Sequence, residues 1–157
     1  MTIRPIEEKD DQAIAQIIKK SLEAVGLDQE GTAYTDPQLN HLTSYYSEAP
    51  KSQYFVMSSE NKILGGAGYA RLTPEIAELQ KCYVTKEARR QGIASALIEH
   101  LEQEAKEHDY QAIYLESSSL LKEAISFYRH HGYEKLSKPL PNNQNHHAMD
   151  IWMMKKL

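Results

Sequence analysis

A short basic, glycine-containing segment, Arg89-Arg90-Gln91-Gly92-Ile93-Ala94-Ser95, is the strongest candidate for chemistry in the chain. The N-terminus of a helix carries backbone N–H groups without partners and the positive end of the dipole, and glycine lets the backbone close around an anion. Two arginines before the turn add positive charge where a diphosphate would lie. The segment predicts a phosphate-binding loop for a nucleotide cofactor, in which the side chains of Gln91 and Ile93 matter little.

The elements that must position this loop are a strand before it and a helix after it. Leu79–Val84 is short and rich in apolar and aromatic residues, which predicts a strand. Ile93, Leu97, Leu101 and Ala105 recur every fourth residue, as on one face of an amphipathic helix. The loop contains neither the Gly-Lys-Ser/Thr of a Walker loop nor the three spaced glycines of a dinucleotide fingerprint, so another class of phosphate loop is expected.

The pattern Arg/Gln-x-x-Gly-x-Gly/Ala is matched by Arg89, Gly92 and Ala94, and it resembles the coenzyme A pyrophosphate loop of the GCN5-related N-acetyltransferases. A second match to this family follows downstream, Ala124-Ile125-Ser126-Phe127-Tyr128 and then Gly132-Tyr133. The resemblance implies a mixed α/β (α+β) acyl-CoA N-acyltransferase fold. Its central sheet would have about seven strands flanked by four helices, with the fourth and fifth strands splayed apart to admit the cofactor.

The resemblance also implies an activity, the transfer of an acetyl group from acetyl-CoA to a primary amine by direct transfer in a ternary complex. A non-catalytic acyl-CoA-binding sensor or regulatory module is the alternative. Coenzyme A would be held by the loop residues Arg89, Arg90, Gln91, Gly92, Ile93, Ala94 and Ser95, and by Cys82, Val84 and Tyr128.

Two residues are candidates for the proton transfers of this reaction. Glu78 lies fourteen residues before Gly92, the spacing at which histone-acetylating members place their general base. A base is needed because an alkylamine with a pKa of about 10.4 is mostly protonated at neutral pH. Tyr128 shares a helical face with Leu121 and Ala124 and should point inward, where the family resemblance implies that its hydroxyl protonates the departing thiolate. The alternatives are a solvated Glu78 and a purely structural core tyrosine.

The strand before the loop has an irregular pattern. Leu79, Cys82 and Val84 do not alternate cleanly, which predicts a β-bulge. The resemblance implies that the Cys82–Val84 backbone pairs with the pantetheine arm and that the N–H of Val84 donates to the thioester oxygen. Cys82 itself is expected to be buried and inert. Gly65-Gly66-Ala67-Gly68 predicts a bulged or closely approached strand, not a phosphate loop.

The acceptor side is expected at two loops, Leu27–Pro37 and Lys138–His147. They supply the substrate-binding candidates Tyr34, Asn142 and His146, together with Asp36, Asn143 and His147. The segment Gly31–Pro37 is similar to one in uncharacterised bacterial members of the family, but this similarity does not identify a substrate. A small-molecule amine, a polyamine and a protein lysine all stay open.

One position departs from the family pattern. Many members carry an asparagine that contacts the cofactor where this chain has Leu121. That contact is either lost or supplied by Ser118 or Ser119. The adjacent histidine pairs His130-His131 and His146-His147 lack a carboxylate or cysteine at ligand spacing, so no metal site is predicted.

Composition bounds the remaining possibilities. The 157 residues, 41% of them hydrophobic, are expected to form a single N-acetyltransferase domain over residues 1–157. A net charge of −4 argues against a nucleic-acid partner, and no segment has the apolar length of a membrane span. A single cysteine fits a reducing compartment, so a cytoplasmic location is expected. A homodimer stays open.

The pattern along the chain predicts the order of the elements. The expected strands are Thr2–Ile6, Gln53–Ser58, Ile63–Ala70, Leu79–Val84, Ala112–Glu116, Tyr133–Leu136 and Met149–Lys155. The expected helices begin at a cap on Asp10 or Asp11 and end at Gly26, begin at Asp36-Pro37, begin at the phosphate-binding loop, and span Leu121–His131.

Overall fold

The computed structural model of the protein describes residues 1–142 and 146–157, so the candidate Asn143 lies outside the described residues. The strands are β1 (Thr2–Pro5), β2 (Gln53–Ser59), β3 (Lys62–Arg71), β4 (Ile76–Val84), β5 (Ala112–Ser117), β6 (Glu134–Lys135) and β7 (Ile151–Lys156). The helices are α1 (Asp11–Glu23), α2 (Leu42–Glu48), α3 (Ile93–Glu107) and α4 (Lys122–His130).

The described strands form one mixed sheet in the order β1-β2-β3-β4-β5-β7-β6. Strands β1 to β4 are antiparallel neighbours, β4 and β5 are parallel, and β5, β7 and β6 are again antiparallel. A parallel pair needs a crossover connection, and α3 supplies it between β4 and β5. The predicted fold, a mixed seven-stranded sheet with four helices, is confirmed.

Each face of the sheet carries its own hydrophobic core. On one face α3 buries the predicted stripe Ile93, Leu97, Leu101 and Ala105. On the other face α1 and α2 bury a second group of side chains, which includes Ile14, Ile18, Leu22 and Leu42. We call these two sides the α3–α4 face and the α1–α2 face. No helix among the described residues combines the length and apolar character needed to cross a membrane.

The second helix begins later than predicted. The sequence predicts its start at Asp36-Pro37, whereas α2 begins at Leu42. The carboxylate of Asp36 binds Lys81 instead of capping a helix. The carboxylate of Asp11 accepts hydrogen bonds from the backbone N and the hydroxyl of Thr43 at 3.0 and 2.7 Å, so the cap of α2 comes from α1.

Asp10 precedes the first helix but does not cap it with its side chain. Its carboxylate accepts two hydrogen bonds from the Arg4 guanidinium, at 2.7 and 3.0 Å, and one from the backbone N of Glu7. A bidentate arginine contact is stronger than a single neutral hydrogen bond, so the carboxylate is oriented toward β1.

The last two strands are shorter than predicted at their first residues. The backbone N of Tyr133 donates to the carbonyl of Tyr128 at 3.0 Å and so still belongs to the end of α4, and β6 begins at Glu134. Asp150 turns its carboxylate to the hydroxyl and backbone N of Ser119, so β7 begins at Ile151.

The glycine-rich strand β3 is closely approached, as predicted. A Cβ on Gly66 would lie 2.6 Å from Cε1 of Tyr54, and one on Gly68 would lie 2.6 Å from Cδ2 of the same ring. Glycine at both positions lets the Tyr54 ring lie flat against the strand. The Tyr54 hydroxyl then donates to the carbonyl of Lys81 at 2.8 Å, which joins β2 to the irregular part of β4.

Candidate active site

The predicted phosphate-binding loop forms the N-terminus of α3. The helix begins at Ile93, and Gly92 precedes it in a left-handed conformation with φ 75° and ψ 12°. Arg90 also has a positive φ, 66°, so the backbone turns sharply just before the helix. Arg89, Arg90, Gln91 and Gly92 are exposed, and a Cβ on Gly92 would meet no atom within 4 Å. The first N–H groups of the helix and two guanidinium groups therefore lie at an open surface that fits an anion.

The side chain of Ile93 has a structural role in the core. It is 2% exposed and packs in the core of the α3–α4 face with Leu97. Its backbone belongs to the loop, while its side chain anchors the helix under the sheet. The first helical residue already lies on the buried face of α3, and the expectation that the side chains of Gln91 and Ile93 matter little for cofactor binding stays a prediction.

Strands β4 and β5 form a fork below the loop. They pair only between Ile76–Glu78 and Ala112–Tyr114, and among the described residues the pairing ends there. Beyond Glu78, the edge of β4 that faces β5 is free to pair with an extended ligand, as a strand edge does in β-augmentation. The splayed strands expected from the family resemblance are confirmed, and the contact of the Val84 N–H with a thioester stays a prediction.

A β-bulge interrupts β4 at Lys81. The register between β3 and β4 shifts between Gly66 and Gly68, and Lys81 has a positive φ of 51°. Two consecutive side chains, Gln80 and Lys81, consequently both project toward the α1–α2 face. Cys82 projects toward the α3–α4 face. The predicted bulge is confirmed, and it adds a lysine to the side of the strand that carries Glu78.

Lys81 and Asp36 form a buried ion pair. Lys81 Nζ lies 2.7 Å from Asp36 Oδ2, and the two side chains are 2% and 8% exposed. His146 Nε2 lies 2.9 Å from Oδ1 of the same carboxylate. Burial acts to raise the pKa of Asp36, but the hydrogen bond from His146 and the positive charge of Lys81 outweigh it and hold the pKa below its ordinary value.

Glu78, the predicted base, is buried beside this ion pair and is 5% exposed. The Gln80 amide donates to Oε1 at 2.6 Å, and the Asn142 amide donates to Oε2. The Tyr46 hydroxyl donates to Gln80 Oε1 at 2.6 Å and so orients that amide. Burial raises the pKa of Glu78 and the nearby charge of Glu116 adds to the rise, while the amide donors oppose it. The net rise makes Glu78 a stronger base than an exposed glutamate.

A small cavity of about 60 Å³ adjoins Glu78 at the fork. It is lined by Ala33, Glu78, Leu79, Gln80, Lys81, Tyr83, Glu116, His146 and Met149. Polar and charged side chains therefore converge on one small volume beside the predicted base, which is the arrangement expected of a binding site for a small polar group.

The two predicted acceptor loops meet near this cavity. The backbone N of Ala148 donates to the carbonyl of Gly31 at 3.1 Å, and a Cβ on Gly31 would lie 2.6 Å from the His147 ring. Of the predicted substrate-binding residues, His146 lines the cavity and Asn142 contacts Glu78. The Tyr34 hydroxyl instead donates to Glu23 at 2.7 Å and is absent from the cavity lining, where its neighbour Ala33 takes part.

Tyr128 lies on the opposite face of β4. It is 8% exposed, and its ring centroid lies 5.8 Å from that of Tyr133, so the predicted inward orientation is confirmed. Its hydroxyl interacts with the thiol of Cys82 across the same core. Burial raises the pKa of Tyr128 well above its ordinary value, and it raises the pKa of Cys82 to about 12. Both groups are therefore protonated at neutral pH, and Cys82 is a poor nucleophile.

A wide groove of about 610 Å³ extends from the phosphate-binding loop along α4. It is lined by Arg90, Ser95, Lys122, Glu123, Ser126, Phe127, His130 and His131. Arginine and lysine supply positive charge and phenylalanine an aromatic surface, so this groove suits the phosphorylated nucleotide end of a cofactor.

The serines near Leu121 already have partners within the protein. The Ser119 hydroxyl donates to Asp150 at 2.8 Å, and the Ser118 hydroxyl accepts from the backbone N of Leu120 at 3.1 Å. These bonds fix the turn that leads into α4. Whether either serine replaces the asparagine contact stays a prediction.

The described histidines of the two pairs have contacts within the protein. His130 and His131 belong to the end of α4, and His131 Nδ1 lies 3.0 Å from the carbonyl of Phe127. His146 contacts Asp36. Across residues 1–142 and 146–157, no three histidine, cysteine or acidic side chains are grouped so that they would hold a metal ion.

Comparison with known proteins decides the family. Residues 13–133, more than half of the chain, match the model of the acetyltransferase (GNAT) family. The chain is also 33% identical to the uncharacterized N-acetyltransferase YjgM of Escherichia coli (strain K12), over 99% of this chain and 94% of that protein. The protein belongs to the GNAT family. It is accordingly an acetyl-CoA-dependent acyltransferase.

Solved GNAT structures share the fold. A GNAT family acetyltransferase from Staphylococcus aureus Mu50 superposes with a TM-score of 0.85 at 18% identity, over 99% of this chain and 98% of that one. An aminoglycoside 6'-N-acetyltransferase complexed with coenzyme A gives 0.75 at 18% identity, over 99% and 97%. The residues of this GNAT protein fit coenzyme A, because its diphosphate needs an anion site and its extended arm a strand edge.

Several residues of the site were missed by sequence reasoning. Gln80, Lys81, Tyr46 and Glu116 all lie at or beside the Glu78 cavity. The broken alternation in β4 signalled a bulge, but not which side chains it would bring to the α1–α2 face. Glu116 stands two residues beyond the partner of Glu78 on β5, so only the strand pairing shows that the two carboxylates are neighbours.

Proposed function

We propose that the protein acetylates a primary amine by direct attack on acetyl-CoA within a ternary complex. The observation that carries the proposal is the position of Glu78 and Tyr128, which flank β4 on opposite faces close to the fork. A base on one side and a hydrogen-bond donor on the other are the two groups that an acyl transfer from a thioester to an amine requires. Acetyl-CoA itself supplies an acyl carbon that is activated as a thioester.

Glu78 would accept a proton from the bound ammonium. Its raised pKa brings a glutamate closer to the amine in proton affinity, and the amide groups of Gln80 and Asn142 hold the carboxylate in place. Deprotonation leaves a lone pair on nitrogen that can attack the acyl carbon. His146 and Lys81 bind Asp36, and of the two remaining carboxylates in the cavity, Glu78 has the raised pKa that suits this step.

Tyr128 would protonate the departing sulfur. As the C–N bond forms and the C–S bond breaks, the hydroxyl gives its proton to the thiolate, and the second nitrogen proton restores the neutral phenol. The hydroxyl interacts with a sulfur, that of Cys82, so its position beside β4 is compatible with this role. The N–H of Val84 is proposed to stabilise the negative charge on the carbonyl oxygen.

Direct transfer is favoured over an acyl-enzyme on Cys82. With a pKa of about 12, the Cys82 thiol is almost entirely protonated at neutral pH, and a thiol is a much weaker nucleophile than a thiolate. A Cys82→Ala variant is therefore expected to retain amine-dependent turnover.

The test combines calorimetry with initial-rate kinetics. Coenzyme A should bind, amines should accelerate the release of free thiol from acetyl-CoA, and double-reciprocal plots at several amine concentrations should intersect. Parallel lines together with loss of turnover in Cys82→Ala would overturn direct transfer. Cofactor binding without turnover for any amine would instead support the sensor, which the named N-acetyltransferase relatives do not favour.

A further inference from the structure

We propose that the acceptor of this reaction is the terminal ammonium of a slender, unbranched aminoalkyl chain, held by the Glu116 carboxylate beside Glu78. The inference rests on the amine acetylation proposed above and narrows its substrate class. It makes Glu116 the residue that sets acceptor specificity.

Glu78 and Glu116 share one face of the sheet. Glu78 lies opposite Tyr114 in the parallel pair of β4 and β5, and Glu116 is two residues further along β5, where the side chain points to the same face. Both line the 60 Å³ cavity. The Tyr114 hydroxyl donates to Glu116 Oε2 at 2.7 Å and accepts from the backbone N of Leu140 at 3.2 Å, so the carboxylate is held toward its neighbours.

The charges around the cavity leave a negative excess. The basic side chains in the lining are Lys81 and His146, and both bind the Asp36 carboxylate. Among the described residues, no ion pair involves Glu78 or Glu116. Two carboxylates in one small cavity repel each other, and a monovalent cation between them relieves that repulsion. An ammonium group provides this charge and is also the group that Glu78 must deprotonate.

The size and walls of the cavity select the shape of the acceptor. A volume of about 60 Å³ admits only a few water-sized groups. The end of a methylene chain with its ammonium group is of this size. Ala33, Leu79, Tyr83 and Met149 contribute apolar wall against which such a chain packs. The carboxylate of a bound α-amino acid would lie near Glu78 and Glu116 and be repelled by them. Lys81 could not offset this repulsion, because it is already paired with Asp36. A linear alkylamine or diamine therefore fits better than an amino acid or a ring-bearing amine.

Substrate competition tests the class of acceptor. Acetyl-CoA-dependent thiol release is measured with n-butylamine, 1,4-diaminobutane, cyclohexylamine and free alanine at one pH. The linear amines should have kcat/KM values at least about tenfold above the other two, since one buried charge contact or a steric mismatch is worth about 1.4 kcal/mol or more.

A matched pair of variants tests the residue. Glu116→Gln keeps the shape of the side chain and its bond to Tyr114, so we expect a KM for n-butylamine raised about tenfold, with kcat and the KM for acetyl-CoA much less affected. Glu116→Asp, which keeps the charge, should recover part of the loss. Glu99→Gln, on the exposed face of α3, is the control and should behave like the unmodified protein.

The outcomes separate this inference from the function on which it rests. A preference for cyclohexylamine or alanine, or an unchanged amine KM in Glu116→Gln, would overturn the acceptor class while leaving amine acetylation intact. Cofactor binding without amine-dependent thiol release would overturn the proposed function itself.

Discussion

At the scale of single residues, burial raises a pKa on each side of β4, with a different chemical consequence on each side. It raises the pKa of Glu78, which makes the carboxylate a better proton acceptor. It also raises the pKa of Tyr128, which keeps the phenol protonated and able to donate. These environments suit the proposed roles of Glu78 as base and Tyr128 as proton donor on different faces of one strand.

Tyr128→Phe separates catalysis from packing. If the hydroxyl protonates the leaving sulfur, the variant should keep its fold and its affinity for coenzyme A while the single-turnover rate falls on the order of a hundredfold. If the hydroxyl serves only as a partner of Cys82, the same change should cost roughly 1 kcal/mol of stability and spare the rate. Melting temperature and single-turnover rate, measured on one preparation, decide between these outcomes.

Glu78 should control the acidic limb of the pH profile. A base acts in its ionised form, so kcat/KM should rise with pH through the pKa of Glu78, which lies above the ordinary glutamate range. Glu78→Gln should lower kcat/KM on the order of a hundredfold and remove that limb. Glu75→Gln, an exposed residue just before β4, is the control. An acidic limb that survives in Glu78→Gln would assign the base elsewhere.

At the scale of elements, the N-terminus of α3 should bind the cofactor through its backbone. Gly92 has a positive φ and open space around it, so a substitution there is strained but not sterically blocked. Gly92→Asn tolerates the left-handed conformation and should weaken coenzyme A binding moderately, whereas the equally large Gly92→Asp adds a negative charge and should abolish it. Calorimetric titration of both variants checks this. Equal affinities of the two variants for coenzyme A would show that the diphosphate does not bind at this end of α3.

The ion pair between Lys81, at the bulge of β4, and Asp36 should contribute to the stability of the protein. Removing one partner leaves a buried charge, so Asp36→Asn and Lys81→Met should each destabilise the protein by about 3 kcal/mol, and the double variant by less than the sum. Urea unfolding at pH 7 measures these differences, with the exposed Asp28→Asn as control. Additive losses would show that the pair is not coupled.

The same pair predicts the direction of a pH effect. The pKa of Asp36 is lowered in the folded protein, so its contribution to stability is complete above the unfolded aspartate value of about 3.9 and is lost as pH falls through the folded value. The stability difference between the unmodified protein and Asp36→Asn should therefore shrink in acid. A difference that grew as pH fell would contradict the assignment.

At the scale of the whole molecule, one sheet carries both cores. Along β2, Tyr54 and Val56 belong to the core of the α1–α2 face, and Phe55 and Met57 belong to that of the α3–α4 face. Because both cores pack on the same strands, loss of one core exposes apolar side chains of strands that the other core also needs. We therefore expect one cooperative unfolding transition, in keeping with a single domain over residues 1–157.

Coenzyme A should shift that transition as a whole. At one hundred times its dissociation constant, a ligand adds about 2.7 kcal/mol to the free energy of unfolding, which for a chain of this length raises Tm by roughly 5–10 °C. Scanning calorimetry with and without coenzyme A measures the shift, and Gly92→Asp should lose it. Two separate transitions, of which only one moved, would overturn the single domain.

The local features of the protein follow from residues that are close in sequence. The stripe of α3 and the glycine at its start lie within fifteen residues of each other, and periodicity and backbone freedom act over that range. The resemblance at Phe127-Tyr128 is equally local. These short patterns sufficed to predict the fold, the inward orientation of Tyr128 and the bulge of β4, while phosphate binding by the loop stays a prediction.

The sequence indicated the two loops of the acceptor side, but only the tertiary structure decided their contacts, because these join distant segments. Lys81 meets Asp36 across 45 residues, Asn142 meets Glu78 across 64, and His146 meets Asp36 across 110. The start of α2 changed for the same reason, since Asp36 binds Lys81 and the cap comes from Asp11. No local pattern in the chain states which distant charge a buried carboxylate will meet, and that choice depends on the strand order that brings the segments together.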